Sequence, residues 1–204
     1  MSVISGNPFA VSHLDTAFAL TLIFSVGCAG VMAYFSDALG QLIYDSADAG
    51  RFIGVMAPLI PLMYLDHAVD AMLKGLGEQL YSMKVNILDA AICAFLVWIL
   101  CPHIGIWGYV LTIYLSETVN ASLSLARLCR VASFGASVKK GVVKPMLCVI
   151  GTAAILRLMP LGAGNWTGLV FGCVTAISVY VLLLMGTGAV TRRDLAWAAG
   201  VMKK

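Results

Sequence analysis

Residues 52–73 read FIGVMAPLIPLMYLDHAVDAML, with Lys74 next in the chain. A helix needs about 20 apolar residues to cross a bilayer core about 30 Å thick, and this stretch has that length. Pro58 and Pro61 each remove a backbone donor within it, so a kink or local unwinding is expected there. Toward its end stand Asp66 and Asp70, continued by Lys74 and Glu78, each four residues apart and so near one helical face. At about 1.5 Å per residue, Asp66 lies roughly 20 Å from the start of the stretch, inside the hydrocarbon zone.

Five further apolar stretches run at roughly Leu14–Phe35, Ile87–Cys101, Ile104–Ala126, Val142–Met159 and Thr167–Gly186. The chain is 61% hydrophobic and 11% charged, too little polar surface for a soluble domain of 204 residues. The expected fold is an all-α polytopic membrane bundle, six transmembrane helices in a single domain over residues 1–204.

The basic residues crowd into alternate gaps. With six spans, one side of the membrane holds Lys74, Lys84, Arg127, Arg130, Lys139, Lys140, Lys144, Arg192, Arg193, Lys203 and Lys204, and the other only Arg51 and Arg157. That imbalance places both termini in the cytoplasm. Trp98, Trp107 and Trp166 fall near the outer helix ends, where an aromatic belt forms. The net charge of +3 comes from these cytoplasmic gaps, so it reports insertion rather than affinity for nucleic acid. The first thirteen residues lack Lys and Arg, and the first apolar stretch exceeds a secretory signal core, so it reads as a retained helix.

Between the spans, the acidic gap Ser36–Gly50 is expected outside. The short turn Cys101–Gly105 should force its flanking helices into an antiparallel hairpin, with Pro102 and His103 between them. The gap Arg127–Lys144 carries five basic residues and is expected either to rest on anionic headgroups or to act only as a topology anchor.

The six cysteines form no Cys-x-x-Cys pair and have no zinc-like spacing with His13, His67 or His103, so neither a metal nor a cofactor is expected. No His-Glu-x-x-His or Gly-x-Ser-x-Gly element is present, and the surroundings of Asp66 and Asp70 lack the Gly/Arg motif of a membrane phosphotransferase. An enzyme is not expected.

What remains is a set of polar residues at membrane depth. Asp70 and Lys74 have the acid-first spacing that favours a helical ion pair. In the fourth stretch Glu117 and Asn120 share a face, with Ser116 and Ser124 nearby. A carboxylate in hydrocarbon costs about 2.5–3.5 kcal/mol or more unless it faces protein or water. Two readings stay open: the acids glue neighbouring helices together, or they line a polar pathway. Asp89 reads as favourable charge at the start of the third helix.

The run Ala57-Pro-Leu-Ile-Pro-Leu-Met-Tyr-Leu-Asp66, then Asp70, then Leu73-Lys-Gly-Leu-Gly77 with Gln79, resembles the stage V sporulation protein B branch of the polysaccharide flippases. So do Asn86-Ile-Leu-Asp89, Gly105-Ile-Trp-Gly-Tyr109 and Ser116-Glu-Thr-Val-Asn120. The resemblance is strongest over residues 57–130. It implies a larger bundle of two pseudo-symmetric lobes that moves lipid-linked sugars by alternating access, in cell-envelope or spore-wall polysaccharide synthesis. This chain resembles most of the C-terminal lobe, so a clipped gene, or a half-size protein that pairs with another chain, is expected. The resemblance makes Asp66, Asp70, Lys74, Glu117 and Asn120 candidates for a substrate or ion pathway. Its expected partners are membrane lipids, a lipid-linked sugar, and the N-terminal lobe or a partner chain. A cation-coupled multidrug exporter of the same superfamily and a non-transporting membrane scaffold are the alternatives.

Overall fold

The computed structural model describes residues 8–132, 143–158 and 165–188, with side chains from residue 16 onward. Among the described residues every regular element is an α-helix. They are α1 (Pro8–Tyr34), α2 (Ser36–Tyr44), α3 (Ala47–Met56), α4 (Leu59–Gly75), α5 (Gln79–Ile104), α6 (Ile106–Ala132), α7 (Lys144–Leu158) and α8 (Trp166–Gly186).

Three helices have the length and hydropathy to cross a membrane alone: α1 over Thr16–Tyr34, α5 and α8. A fourth span arises if α3 and α4 count as one broken helix. The break falls at Ala57 and Pro58, where the prolines lead one to expect it. The 27-residue α6 carries Glu117, Arg127 and Arg130 along with several hydroxyl side chains. The described part of α7 is 15 residues.

The acidic gap of the sequence reading is helical. Ser36–Tyr44 forms α2, and α3 begins at Ala47, capped by the Ser46 hydroxyl, which accepts from the Ala49 N–H at 3.4 Å. Ser36, Gly40 and Gly50 are buried in this short hairpin. Leu39 and Leu42 pack half-buried against a cluster of Phe35, Leu156, Leu169 and Ala176. Gly40 and Gly50 bring α2 and α3 into direct backbone contact. Of the expected gap Arg127–Lys144, residues 127–132 belong to α6, because that helix runs on past its apolar stretch. Residues 133–142, 159–164 and those from 189 lie outside the described residues.

The chain divides into two compact units. The first joins Met1–Thr21 to Pro61–Ala136 and contains α5, α6 and nearly all of α4. Here α5 and α6 form the expected hairpin, tighter than the sequence suggests. Pro102 and His103 are still helical, and Gly105 alone connects the two helices. Its φ of 58° is a conformation that glycine adopts without strain. Three residues on, a Cβ at Gly108 would stand 2.7 Å from the carbonyl carbon and oxygen of Leu100, so only a glycine allows the helices this close. From Gly108, buried small residues continue every fourth position through Thr112, Ser116, Asn120 and Ser124. Such a stripe lets helices pack by close approach where lipid offers no hydrophobic drive.

The second unit joins Leu22–Ile60 to Ser137–Lys204 and holds the rest of α1 with α2, α3, α7 and α8. Glycines set its packing too. Gly27 makes room for the Tyr180 ring, Gly30 for Val149 and Gly172 for Phe35. The Tyr180 hydroxyl donates to the Ile23 carbonyl at 2.8 Å, a buried bond between α8 and α1. A small apolar cleft runs beside it, bordered by Gly27, Gly30, Val149 and Ala176. Tyr180→Phe should cost about 1 kcal/mol, the net value of one such hydrogen bond, read as a lower unfolding midpoint in detergent.

Candidate polar site in the first unit

The site is built where α4, α5 and α6 meet. On α4, Asp66, Val69 and Leu73 fall on one helical face and are all buried. The helix ends as the Lys74-Gly-Leu-Gly77 run dictates. Gly77 takes a φ of 82°, its N–H bonds to the Lys74 carbonyl at 3.1 Å, and the Glu78 N–H bonds to the Leu73 carbonyl at 2.9 Å. This glycine-terminated cap delivers Glu78 to the start of α5.

The central contact is a hydrogen bond from Asn120 Nδ2 to Asp66 Oδ2 at 2.9 Å, joining α6 to α4. Both side chains are 6% exposed. Ser124, one helical turn beyond Asn120, also borders the Asp66 carboxylate. Glu117 lies on the same side of α6, half-buried, and feels both Asp66 and Asp89 electrostatically. Three buried oxygens in this cluster lack a hydrogen-bond partner: Asp66 Oδ1, Glu117 Oε2 and Asn120 Oδ1.

Asp89 belongs to this cluster, contrary to its reading as a helix-start charge. The helix begins at Gln79, eight residues before the apolar run, which puts Asp89 within α5. There its Oδ1 accepts from the Ser116 hydroxyl of α6. The physical reason is that the first turns of α5 are polar, with Gln79, Ser82, Lys84 and Asn86, so hydropathy alone places the helix start too late.

Asp70 and Lys74 pair at 2.6 Å, as their spacing predicts. The Ser82 hydroxyl donates to the other Asp70 oxygen and so ties α4 to α5. Asp70 is therefore engaged apart from the Asp66 cluster, and Lys74 is half-exposed. His67 is exposed on the next face of α4. Sequence reasoning missed a further junction: Arg127 donates from Nε and Nη2 to Glu78 Oε2, at 3.2 and 2.9 Å. Its guanidinium stacks 5.0 Å from the Tyr81 ring centre, and the Tyr81 hydroxyl donates to the Leu123 carbonyl at 3.3 Å. The only signal in the sequence was Glu78 at the end of the four-residue series.

Chemically, the cluster offers more oxygen acceptors than donors. It suits protons, cations or ligands rich in hydroxyl or amino donors. Among the described residues, no three His, Cys, Asp or Glu side chains converge as a metal ion would require.

No family model matches the chain, and no solved structure matches it at significance. Among curated proteins it is similar to stage V sporulation protein B of Bacillus subtilis (strain 168), with 25% identity over 178 residues. The match takes in 85% of this chain and 34% of that protein, so the chain spans about a third of the relative's length. The apolar helices and this distant likeness together point to a membrane location.

Proposed function

We propose that this chain is part of a flippase for lipid-linked oligosaccharide or polysaccharide precursors, serving cell-envelope or spore-wall synthesis. The observation that carries the reading is the Asp66–Asn120 hydrogen bond buried between two long helices, beside Glu117. Polar groups at membrane depth face protein or a pathway, because hydrocarbon leaves them unsatisfied. Transporter sites sit at such places, next to interrupted helices, and α4 follows a break at Ala57 and Pro58. The likeness to a sporulation protein supports the same class.

In this reading the chain crosses the membrane six times, with α6 and α7 as spans and both termini cytoplasmic. Asp66, Asn120 and Glu117 form the pathway, with Asp70 and Lys74 at its cytoplasmic end. The acceptor-rich cluster binds sugar hydroxyls or a coupling ion, and the lipid diphosphate is met by cations outside this chain, in an N-terminal lobe or a partner. Asp66→Asn in a full-length parent, reconstituted in vesicles with a fluorescent lipid-linked sugar, should slow flipping about tenfold, equivalent to about 1.4 kcal/mol of barrier. Insertion should be intact. Flipping at the parent's rate would return Asp66 to helix packing alone.

The orientation has its own check. In a cysteine-free background, a membrane-impermeant thiol reagent added outside should label a cysteine placed at Ala163 and spare one placed at Ala136. The reverse pattern would overturn the topology.

A further inference from the structure

Within the first unit α4 is joined to its neighbours differently from the way they are joined to each other. The backbones of α5 and α6 lie close together, with Gly108 against Leu100, and the α4 backbone stands off from both. Side chains span that distance. Asn120 Nδ2 of α6 donates to Asp66 Oδ2 at 2.9 Å, and the Ser82 hydroxyl of α5 donates to Asp70. Val69 and Leu73 are fully buried on the same side of α4. A polar side-chain contact can exchange its partner for water, which a close backbone fit cannot do.

Both ends of α4 are built to turn. The helix follows the break at Ala57 and Pro58, and it ends at Gly75. Gly77 takes a φ of 82°, and a Cβ at Gly75 or Gly77 would meet nothing within 4 Å. Just past this turn the chain is fixed. Arg127 of α6 donates from Nη2 to Glu78 Oε2 at 2.9 Å and stacks 5.0 Å from the Tyr81 ring centre. The turn is thus a pivot with one side anchored. Asp66 lies roughly 13 Å along the helix from Gly75, at 1.5 Å per residue, so a small tilt separates it from Asn120. Closure also carries a cost, because it leaves Asp66 Oδ1 and Asn120 Oδ1 buried without hydrogen-bond partners. Water admitted by a tilt supplies donors to both, which offsets the lost Asp66–Asn120 bond.

We propose that α4 is a swinging arm that opens and closes a water-filled gap at Asp66 and Asn120. The α5–α6 hairpin is the rigid body against which it moves. Gly75–Gly77 is the pivot, the Arg127–Glu78 junction anchors it, and the Asp66–Asn120 bond is the clasp that holds the arm shut. Displacement grows with distance from the pivot, so Leu73 stays packed while Asp66 and the residues before it move away from α6. Its place in a transport cycle rests on the pathway reading above; the swing itself does not.

Spin-label distance measurements on the 204-residue chain in lipid nanodiscs test this, in a cysteine-free background. Labels go in pairs on exposed positions: Met63 with Leu115, across α4 and α6 far from the pivot; Ala71 with Ala126, nearer to it; and Ala94 with Leu115, within the hairpin. In the otherwise unsubstituted protein the Met63–Leu115 distances should spread most widely, and equal spreads in all three pairs would overturn the arm. Asn120→Leu removes the clasp and should lengthen the Met63–Leu115 distance by about 3 Å or more, the width of a water molecule. The Ala71–Ala126 distance should shift less and the hairpin distance not at all. No lengthening, or one shift common to all three pairs, would overturn the proposal. Arg127→Gln releases the anchor, so the Ala71–Ala126 distance should then shift as well; an unchanged distance would overturn the anchored pivot. Slowed flipping in Asp66→Asn without any opening in Asn120→Leu would keep the transport reading and reject the arm. Opening with normal flipping would support the arm and reject the transport reading alone.

Discussion

Gly108→Val should unfold the α5–α6 hairpin more than any surface change in the chain. The added Cβ would meet the Leu100 carbonyl carbon and oxygen at 2.7 Å and the Cys101 nitrogen at 3.0 Å, and these backbone atoms cannot swing aside. The helices must separate, and with them the buried stripe from Thr112 to Ser124 loses its fit. Overpacking of this kind costs about 1–3 kcal/mol in well-packed cores, and a backbone clash falls at the upper end. Denaturant titration in micelles should show the loss as a lower midpoint. Gly75→Ala is the control, since nothing lies within 4 Å of that position at the end of α4. It should be neutral or stabilising, because alanine is the better helix former by up to about 1 kcal/mol. Equal effects at both positions would show that the close approach at Gly108 contributes nothing.

Asn120→Leu should be nearly as damaging, for a chemical rather than a steric reason. Leucine is close in size to asparagine but donates nothing, so Asp66 Oδ2 would join Oδ1 in having no partner. A hydrogen bond to a charged group is worth about 1.5–3 kcal/mol, and its buried acceptor is left unsatisfied when the donor is removed. The variant should insert and remain helical, because α6 keeps its length and gains hydropathy. Its unfolding midpoint should drop, and replacing Asp66 with Asn in the same chain should recover part of the loss. No recovery would mean that residue 120 acts through packing alone.

How far the sequence carries can be judged from particular residues. The helical class and the membrane location are legible because apolar runs of bilayer length recur, and few soluble folds tolerate them. The break at Ala57 and Pro58 is legible because proline removes a donor wherever it sits. The Asp70–Lys74 pair is legible because it is local, four residues apart on one helix. The partner of Asp66 is only half legible: spacing puts Glu117 and Asn120 on one face, but not opposite Asp66, since that contact spans 54 residues of chain. The Arg127–Glu78 pair, 49 residues apart, is hidden for the same reason. Asp89 was misplaced because hydropathy marks where lipid begins and a helix can start earlier, as α5 does with its polar first turns. Helix α2 was missed because a short amphipathic helix carries no span-length signal. Its Gly40–Gly50 contact shows instead that glycine spacing held the information.

The claim on which the rest depends is that Asp66 and Asn120 interact with each other inside an apolar bundle. A double-mutant cycle across the two positions measures that interaction most directly, with Asp66→Leu, Asn120→Leu and the double variant compared by unfolding in micelles. Interaction between them predicts that the double variant is less destabilised than the two single losses added together, by about 1 kcal/mol or more. Losses that simply add would mean the two side chains are energetically independent, and would contradict the site.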